Sequence, residues 1–219
     1  MLISVVYYIF LNPEHEWRGL LQAQMKDLVT CGLSQQTSYL HVMLSGNGES
    51  LMGEASAIVT SIVPRACIHR WGQNHYEYPG IKFTWELANC LPDPDNQVIL
   101  YHHSKGMVNS THSTARTSDN INLTNRVVMP WREIVAAFHS NPKIMKAGHI
   151  PASGGWIWYN FWWARASYLR RVKRPLLTDN RYYYESWLAQ VEGKKDASDC
   201  YSVTTKQLGY YLDPPHVYT

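Results

Sequence analysis

Leu2-Ile3-Ser4-Val5-Val6-Tyr7-Tyr8-Ile9-Phe10 is a continuous run of aliphatic, β-branched and aromatic residues, followed by a turn at Asn12-Pro13. A strand apolar on both faces has to be covered on both faces. The next stretch supplies one cover: Trp17, Leu20, Leu21, Met25, Leu28 and Val29 recur at helical spacing up to Thr30, and Gly32 stands where a helix end calls for positive φ. Tyr39 to Leu44 reads as a second strand, closed by Ser45-Gly46-Asn47-Gly48. A helix from Glu49 to Val63 stops at Pro64, and Ala66 to Trp71 is a third strand. Strand, helix, strand, helix, strand in seventy residues predicts an α/β domain, mostly a parallel sheet flanked by helices on both faces.

Further along, a helix is expected from Gly80 to Asn89, broken by Pro92-Asp93-Pro94-Asp95, and Gln97 to His103 is a fourth strand. Residues 107–124 are poor in apolar groups and read as a loop or lid. A helix over Asn125 to Phe138 interrupted early by Pro130, a short helix from Asn141-Pro142, a strand at Ala147 to Ile150, helices over Ala164 to Val172 and Arg181 to Val191, and an edge strand at Tyr201 to Thr204 complete the expectation. The 219 residues are read as one domain: a first half, 1–106, a lid, 107–124, and a second half, 125–219.

Composition narrows the function. The chain is 45% hydrophobic and 17% charged, as folded domains are, and a net charge of +3 is too mild to imply nucleic acid. The run Arg170, Arg171, Lys173, Arg174 reads as the solvated end of a helix. Cys31, Cys67, Cys90 and Cys200 show no zinc spacing and read as free thiols in a reducing compartment. Met1 to Phe10 lacks a basic flank and a cleavage site, and no stretch is long enough to span a membrane, so the expectation is cytoplasmic. The sequons at Asn109 and Asn122 then carry no meaning. Dinucleotide and P-loop glycine patterns and Gly-x-Ser-x-Gly are absent, which argues against dehydrogenases, P-loop enzymes and α/β-hydrolases.

Ligands of open parallel sheets collect beyond the carboxyl ends of the strands, and three constellations are expected there or beside it. His102-His103-Ser104-Lys105-Gly106 ends the fourth strand, where Lys105 and His103 suit a diphosphate. Adjacent histidines on a strand face opposite ways and cannot share one metal without distortion. Asn74, Tyr76 and Glu77 can pair with a base or ribose, or cap a helix. Four of the nine tryptophans lie between 156 and 163, after Gly154-Gly155 and ahead of Glu185. Indoles can stack on a sugar or pack in a core, two glycines let a ligand approach backbone, and a helix-borne carboxylate suits general base work. By strand parity Phe161 and Trp163 pack inward while Asn160 and Trp162 face a sugar. Asp93-Pro94-Asp95 precedes its strand, lies at the opposite end of the sheet, and reads as a loop breaker.

In order along the chain stand Gly32-Leu33, Asn74-His75-Tyr76-Glu77, Tyr101-His102-His103-Ser104-Lys105-Gly106, Asn160-Phe161-Trp162-Trp163-Ala164 and Arg181-Tyr182-Tyr183-Tyr184-Glu185-Ser186-Trp187. Together they resemble a GT-A-type glycosyltransferase family found among polysaccharide-building and viral or algal sugar-transfer proteins. The resemblance implies a nucleotide-diphosphate sugar donor bound by Tyr8, Asn74, Tyr76, Glu77, His103 and Lys105. It implies a glycan or other hydroxyl acceptor bound by Gly154, Gly155, Asn160, Trp162, Trp163 and Arg181, with Glu185 as the base. Many GT-A enzymes hold the donor through Mn or Mg on an Asp-x-Asp after the fourth strand; here His103-Ser104-Lys105 takes that place, and a lysine can stabilise the departing charge. A non-catalytic carbohydrate-binding module on the same fold and a histidine-based metal hydrolase are the rival classes. Lys105→Ala is expected to weaken nucleotide-sugar binding in calorimetry, and an unchanged dissociation constant removes Lys105 from that role.

Overall fold

The computed structural model describes residues 1–104, 116–193 and 195–213. The chain runs β1 (Leu2–Phe10), α1 (Trp17–Thr30), α2 (Leu33–Gln36), β2 (Tyr39–Ser45), α3 (Glu49–Ile62), β3 (Cys67–Trp71), α4 (Tyr78–Cys90), β4 (Gln97–His103), α5 (Ser118–Leu123), α6 (Trp131–Ser140), β5 (Lys146–Gly148), β6 (Trp162–Arg165), α7 (Ala166–Leu169), α8 (Arg181–Ser186), β7 (Cys200–Ser202) and β8 (Gln207–Leu208). The strands form one mixed sheet in the order β3-β2-β1-β4-β6-β5-β7-β8. The four strands β3, β2, β1 and β4 are parallel, and so are β5 and β7. β6 runs antiparallel to β4 and β5, and β8 antiparallel to β7.

The parallel expectation therefore holds for the first half and gives way in the second. The chain returns from β5 to β6 without a crossover helix, and neighbours joined that way pair antiparallel.

Period-two alternation divides the core. Ile3, Val5, Tyr7 and Ile9 of β1 pack with Leu20, Met25, Met52, Val59, Ile134 and Phe138 under α1, α3 and α6. Val6 and Tyr8 pack with Ile81, Tyr101, Tyr168 and Trp187 under α4, α7 and the segment after α8. Helices thus cover both faces. Phe161 and Trp163 join the first cluster and Trp162 the second, as strand parity requires.

Several second-half boundaries differ from expectation. The helix expected over Asn125 to Phe138 is α6 preceded by a π turn, Thr124–Val128, closed by Met129 N–H on the Thr124 carbonyl. Pro130 has no N–H for the Arg126 carbonyl, and the Trp163 indole donates to the Val127 carbonyl at 2.8 Å, so the wider turn is satisfied from outside. Asn141-Pro142 begins a turn rather than a helix, and the helix expected over Ala164 to Val172 is the end of β6 followed by the single turn α7. The helix expected to Val191 is α8 plus a 3-10 turn, Trp187–Ala189. The expected lid 107–124 includes α5; residues 105–115 lie outside the described residues.

Two cations, Arg165 buried and Arg170 half-buried, set these ends. Arg165 donates to the carbonyls of Ile144 (2.8 Å), Asp95 (2.8 Å) and Phe138 (2.6 Å), satisfying the open end of α6. Arg170, expected to be the solvated end of its own helix, instead donates to the carbonyls of Ala88 (2.8 Å) and Leu91 at the C-terminal end of α4, where a cation suits the helix dipole. The described cysteines are free thiols. No helix among the described residues is long and apolar enough to cross a membrane.

Gly80 brings α4 onto the sheet. A Cβ there would stand 2.7 Å from Tyr8 Cβ and 3.0 Å from the Tyr101 ring. Gly80→Ala must push α4 outward, and a loss of about 1–3 kcal/mol is expected from overpacking. Urea unfolding reads it; an unchanged midpoint would mean that α4 shifts at no cost.

Candidate functional site

The strand order reverses direction between β1 and β4. From β1 the chain proceeds to β2 and β3 with α1 and α3 on one face, then crosses by α4 on the other face to β4 on the far side of β1. Such a switch point opens a crevice beyond the carboxyl ends of the two strands. Tyr8 of β1 and His103 of β4 are register partners there, and Ser104 N–H donates to the Tyr8 carbonyl at 3.0 Å.

The loop from β3 to α4 is fastened over this point. Ser45 donates its hydroxyl to the Gln73 carbonyl at 2.6 Å, the Tyr8 phenol donates to the Tyr76 carbonyl, and the Asn74 side chain accepts from Tyr76 N–H at 3.1 Å. Asn74 is thereby a turn former, with its oxygen directed at backbone. Tyr76 adopts φ 50, and Glu77 follows at the N-terminus of α4, where negative charge is favoured.

Glu77 is the meeting point of the two halves. Its Oε2 accepts from the Asn160 amide at 2.9 Å and the Tyr101 phenol at 3.2 Å, and His103 Nε2 lies 3.7 Å from its Oε1. His103 Nε2 also lies 3.0 Å from the Tyr159 carbonyl, which can only accept, so this nitrogen carries the proton. Asn160 spends its amide a second time on the Tyr184 carbonyl at 3.1 Å, and its oxygen accepts from the Trp162 indole at 3.3 Å. Burial holds the phenols of Tyr8 and Tyr101 well above their usual range, with the Glu77 charge adding to it, so both remain protonated.

Three non-glycine residues with positive φ gather here: Tyr76, Tyr159 (φ 71) and Asn160 (φ 52). Backbone held in that region costs on the order of 1–3 kcal/mol per residue and persists where surrounding contacts impose it.

Of the expected site residues, Tyr8, Tyr76, Glu77, His103 and Asn160 come together. Glu185 follows Tyr184, whose carbonyl Asn160 holds, and so lies on the adjoining turn of α8. Trp162 does not face an open sugar pocket: it is 0% exposed, stacked on Tyr101 at 5.1 Å between ring centroids and tilted against Trp187 at 6.4 Å. Trp163 is buried on the opposite face, and Asn160 is itself buried. Parity assigned the faces, but helices cover both. Gly155 (φ 87) is approached closely, but by the chain itself where a ligand was expected, since a Cβ there would stand 2.5 Å from the Asp196 carbonyl oxygen. Gly154 is covered by the Trp156 ring. Arg181 is exposed at the start of α8 with its guanidinium 5.1 Å from the Tyr182 ring centre. Lys105 lies outside the described residues.

Gln24 was not among the expected residues. It is buried on α1, accepts from the Tyr7 phenol at 2.6 Å and donates to the His103 carbonyl at 3.3 Å, so it sets the end of β4. A glutamine in the apolar stripe Leu20-Leu21-Gln24-Met25-Leu28 was the available signal. On the other side of Tyr159, a cleft of about 110 Å³ is lined by Asp119, Asn122, Leu123, His149, Ile150 and Tyr159. No group of three or more His, Cys, Asp or Glu placed to hold a metal ion occurs among the described residues. No family model matches the chain, and no curated protein matches it significantly.

His102, on the face opposite His103, is buried against Tyr7 (4.9 Å between ring centroids) and Phe161 (5.8 Å), and neither ring nitrogen has a hydrogen-bond partner among the described residues. Burial, with His103 and Arg116 nearby, pushes its pKa down to about 3, and burial with His69 pushes that of His41 down to about 4. Between these values and the unfolded value of about 6.5, the unfolded chain takes up protons that the folded chain refuses. Stability is therefore expected to be fully present above pH 6.5 and to fall on acidification towards pH 4, by up to about 1.4 kcal/mol per pH unit for each group. His102→Leu should flatten that slope in urea titrations at pH 7 and pH 5; an identical slope would exclude His102 as a source.

Proposed function

We propose that this chain is a GT-A-type glycosyltransferase, moving a sugar from a nucleotide-diphosphate donor to a hydroxyl acceptor. The observation that carries the reading is the hydrogen-bonded cluster at the β1/β4 switch point, where Glu77 and His103 from the first half meet Asn160 and the Tyr184 carbonyl from the second. A two-substrate reaction needs its two binding surfaces fixed relative to one another. A carboxylate hydrogen-bonded from both halves provides such a fixture.

In this reading the donor lies beyond the ends of β1 and β4, with the pinned loop of Tyr76 and Glu77 framing the nucleotide and His103 on the diphosphate side. Lys105, on sequence grounds, neutralises the leaving group. Glu185 removes the proton of the acceptor hydroxyl as its oxygen bonds to the anomeric carbon. The bond from that carbon to the diphosphate oxygen breaks, and the nucleoside diphosphate leaves with the electron pair. The cleft of Asp119, Asn122, His149 and Tyr159 offers hydrogen-bonding groups to an acceptor across the Tyr159 backbone.

A panel of nucleotide-diphosphate sugars assayed for nucleotide release tests the reading. One or more donors should be turned over in the presence of a hydroxyl acceptor, and Glu185→Gln should reduce transfer by about two to four orders of magnitude with donor binding nearly intact. Glycan binding with no nucleotide release from any donor would instead identify a carbohydrate-binding module. Equal rates in Glu185→Gln and the unchanged chain would remove Glu185 from the role of base.

A further inference from the structure

The segment Arg170–Tyr182 combines features that core packing and the switch-point cluster leave unused. Leu176 and Leu177 are 64% and 55% exposed, adjacent in sequence, and Tyr182 is 48% exposed close by. Isolated exposed leucines are ordinary on protein surfaces; two in tandem in a loop, flanked along the chain by exposed cations, are not. The segment holds five arginines and lysines against Asp179 alone, in a chain whose whole net charge is +3. One of the five, Arg170, is spent on the carbonyls of α4, while Arg171, Lys173, Arg174 and Arg181 are exposed.

The tip is also held in shape. At its base Val172 bridges Val191, Lys173 N–H donates to the Gln190 carbonyl at 2.8 Å, and the Trp187 indole donates to the Lys173 carbonyl at 2.9 Å. Pro175 is buried. Beyond it the Tyr183 phenol accepts from Leu176 N–H at 2.9 Å, and the Tyr184 phenol accepts from Thr178 N–H at 3.0 Å. A loop pinned at both ends presents its leucines with little further entropy to lose on docking.

We propose that this loop docks the protein onto an anionic lipid surface, with Leu176 and Leu177 entering the interface and the surrounding cations meeting the headgroups. The occupant follows from the combination. A neutral protein groove would accept the leucines and leave four cations without counter-charge, whereas an anionic bilayer satisfies apolar and basic groups at the same depth. A second copy of this chain would bring like charge against like. The inference stands independently of the transfer chemistry.

Flotation of the full chain with phosphatidylcholine vesicles, alone or with about one-third phosphatidylserine, tests it. Binding is expected to the mixed vesicles, weak to phosphatidylcholine alone, and at least about tenfold lower when salt is raised from about 50 mM to about 500 mM. Leu176→Ser with Leu177→Ser, and separately Lys173→Glu with Arg174→Glu, should each lower the partition coefficient at least about tenfold with an unchanged thermal midpoint. Equal recovery on both vesicle types, salt-independent recovery, or variants that float like the unchanged chain would each overturn the proposal. So would loss of vesicle binding on dilution of a self-associated form. The salt and lipid comparisons use the unchanged chain, so they decide the matter even if a variant misfolds.

Discussion

The carboxylate of Glu77 ties the two halves of this structure together. A charge taken out of water is costly unless hydrogen bonds replace its hydration, and its partners come from two distant places: Tyr101 on β4 and Asn160 eighty-three residues on. To reach it, Asn160 adopts a left-handed backbone, and so does Tyr159 before it, whose carbonyl then accepts a hydrogen bond from His103 Nε2. The same asparagine amide holds the Tyr184 carbonyl and fixes the approach of α8. Satisfying one half-buried carboxylate thus helps decide how the second half of the chain sits against the first.

Local pattern was enough for the elements that lead to that anion. β1, α1 and β4 have the ranges that apolar runs and helical spacing indicate, because each buries a continuous face against neighbours close in sequence. Gly32 takes positive φ as a helix terminator, and Pro79 fits the first turn of α4. Past Leu123 the deciding contacts are long-range. Nothing near Val127 announces that an indole thirty-six residues away will take its carbonyl, and nothing near Ala164 announces that Arg165 will be drawn into the end of α6.

The site was legible as residue types and less so as geometry. His103 was identifiable as a polar group ending an apolar strand, Glu77 as an acid between a strand and the next helix, and Asn160 as a polar residue within the tryptophan cluster. Their mutual contacts were not, since those depend on left-handed backbone at Tyr159 and Asn160 with no glycine to mark it. The tryptophans misled in a specific way: alternation along β6 predicts opposite faces for Trp162 and Trp163, but it carries no information on whether a helix lies over each face. Gly154-Gly155 likewise signalled close approach and could not say that Asp196 would be what approaches.

The insertion of β6 between β4 and β5 has a consequence for biosynthesis. During translation the outer edge of β4 has no strand to pair with until residues 162–165 leave the ribosome, roughly 60 residues after His103. At about 5–20 residues per second that interval is several seconds. A strand buried along its whole length in the finished fold, destined for the middle of the sheet, spends those seconds as an exposed template for other chains. The nascent protein is thus most vulnerable to aggregation after its first half has folded, and chaperone contact at that stage would guard one particular strand edge.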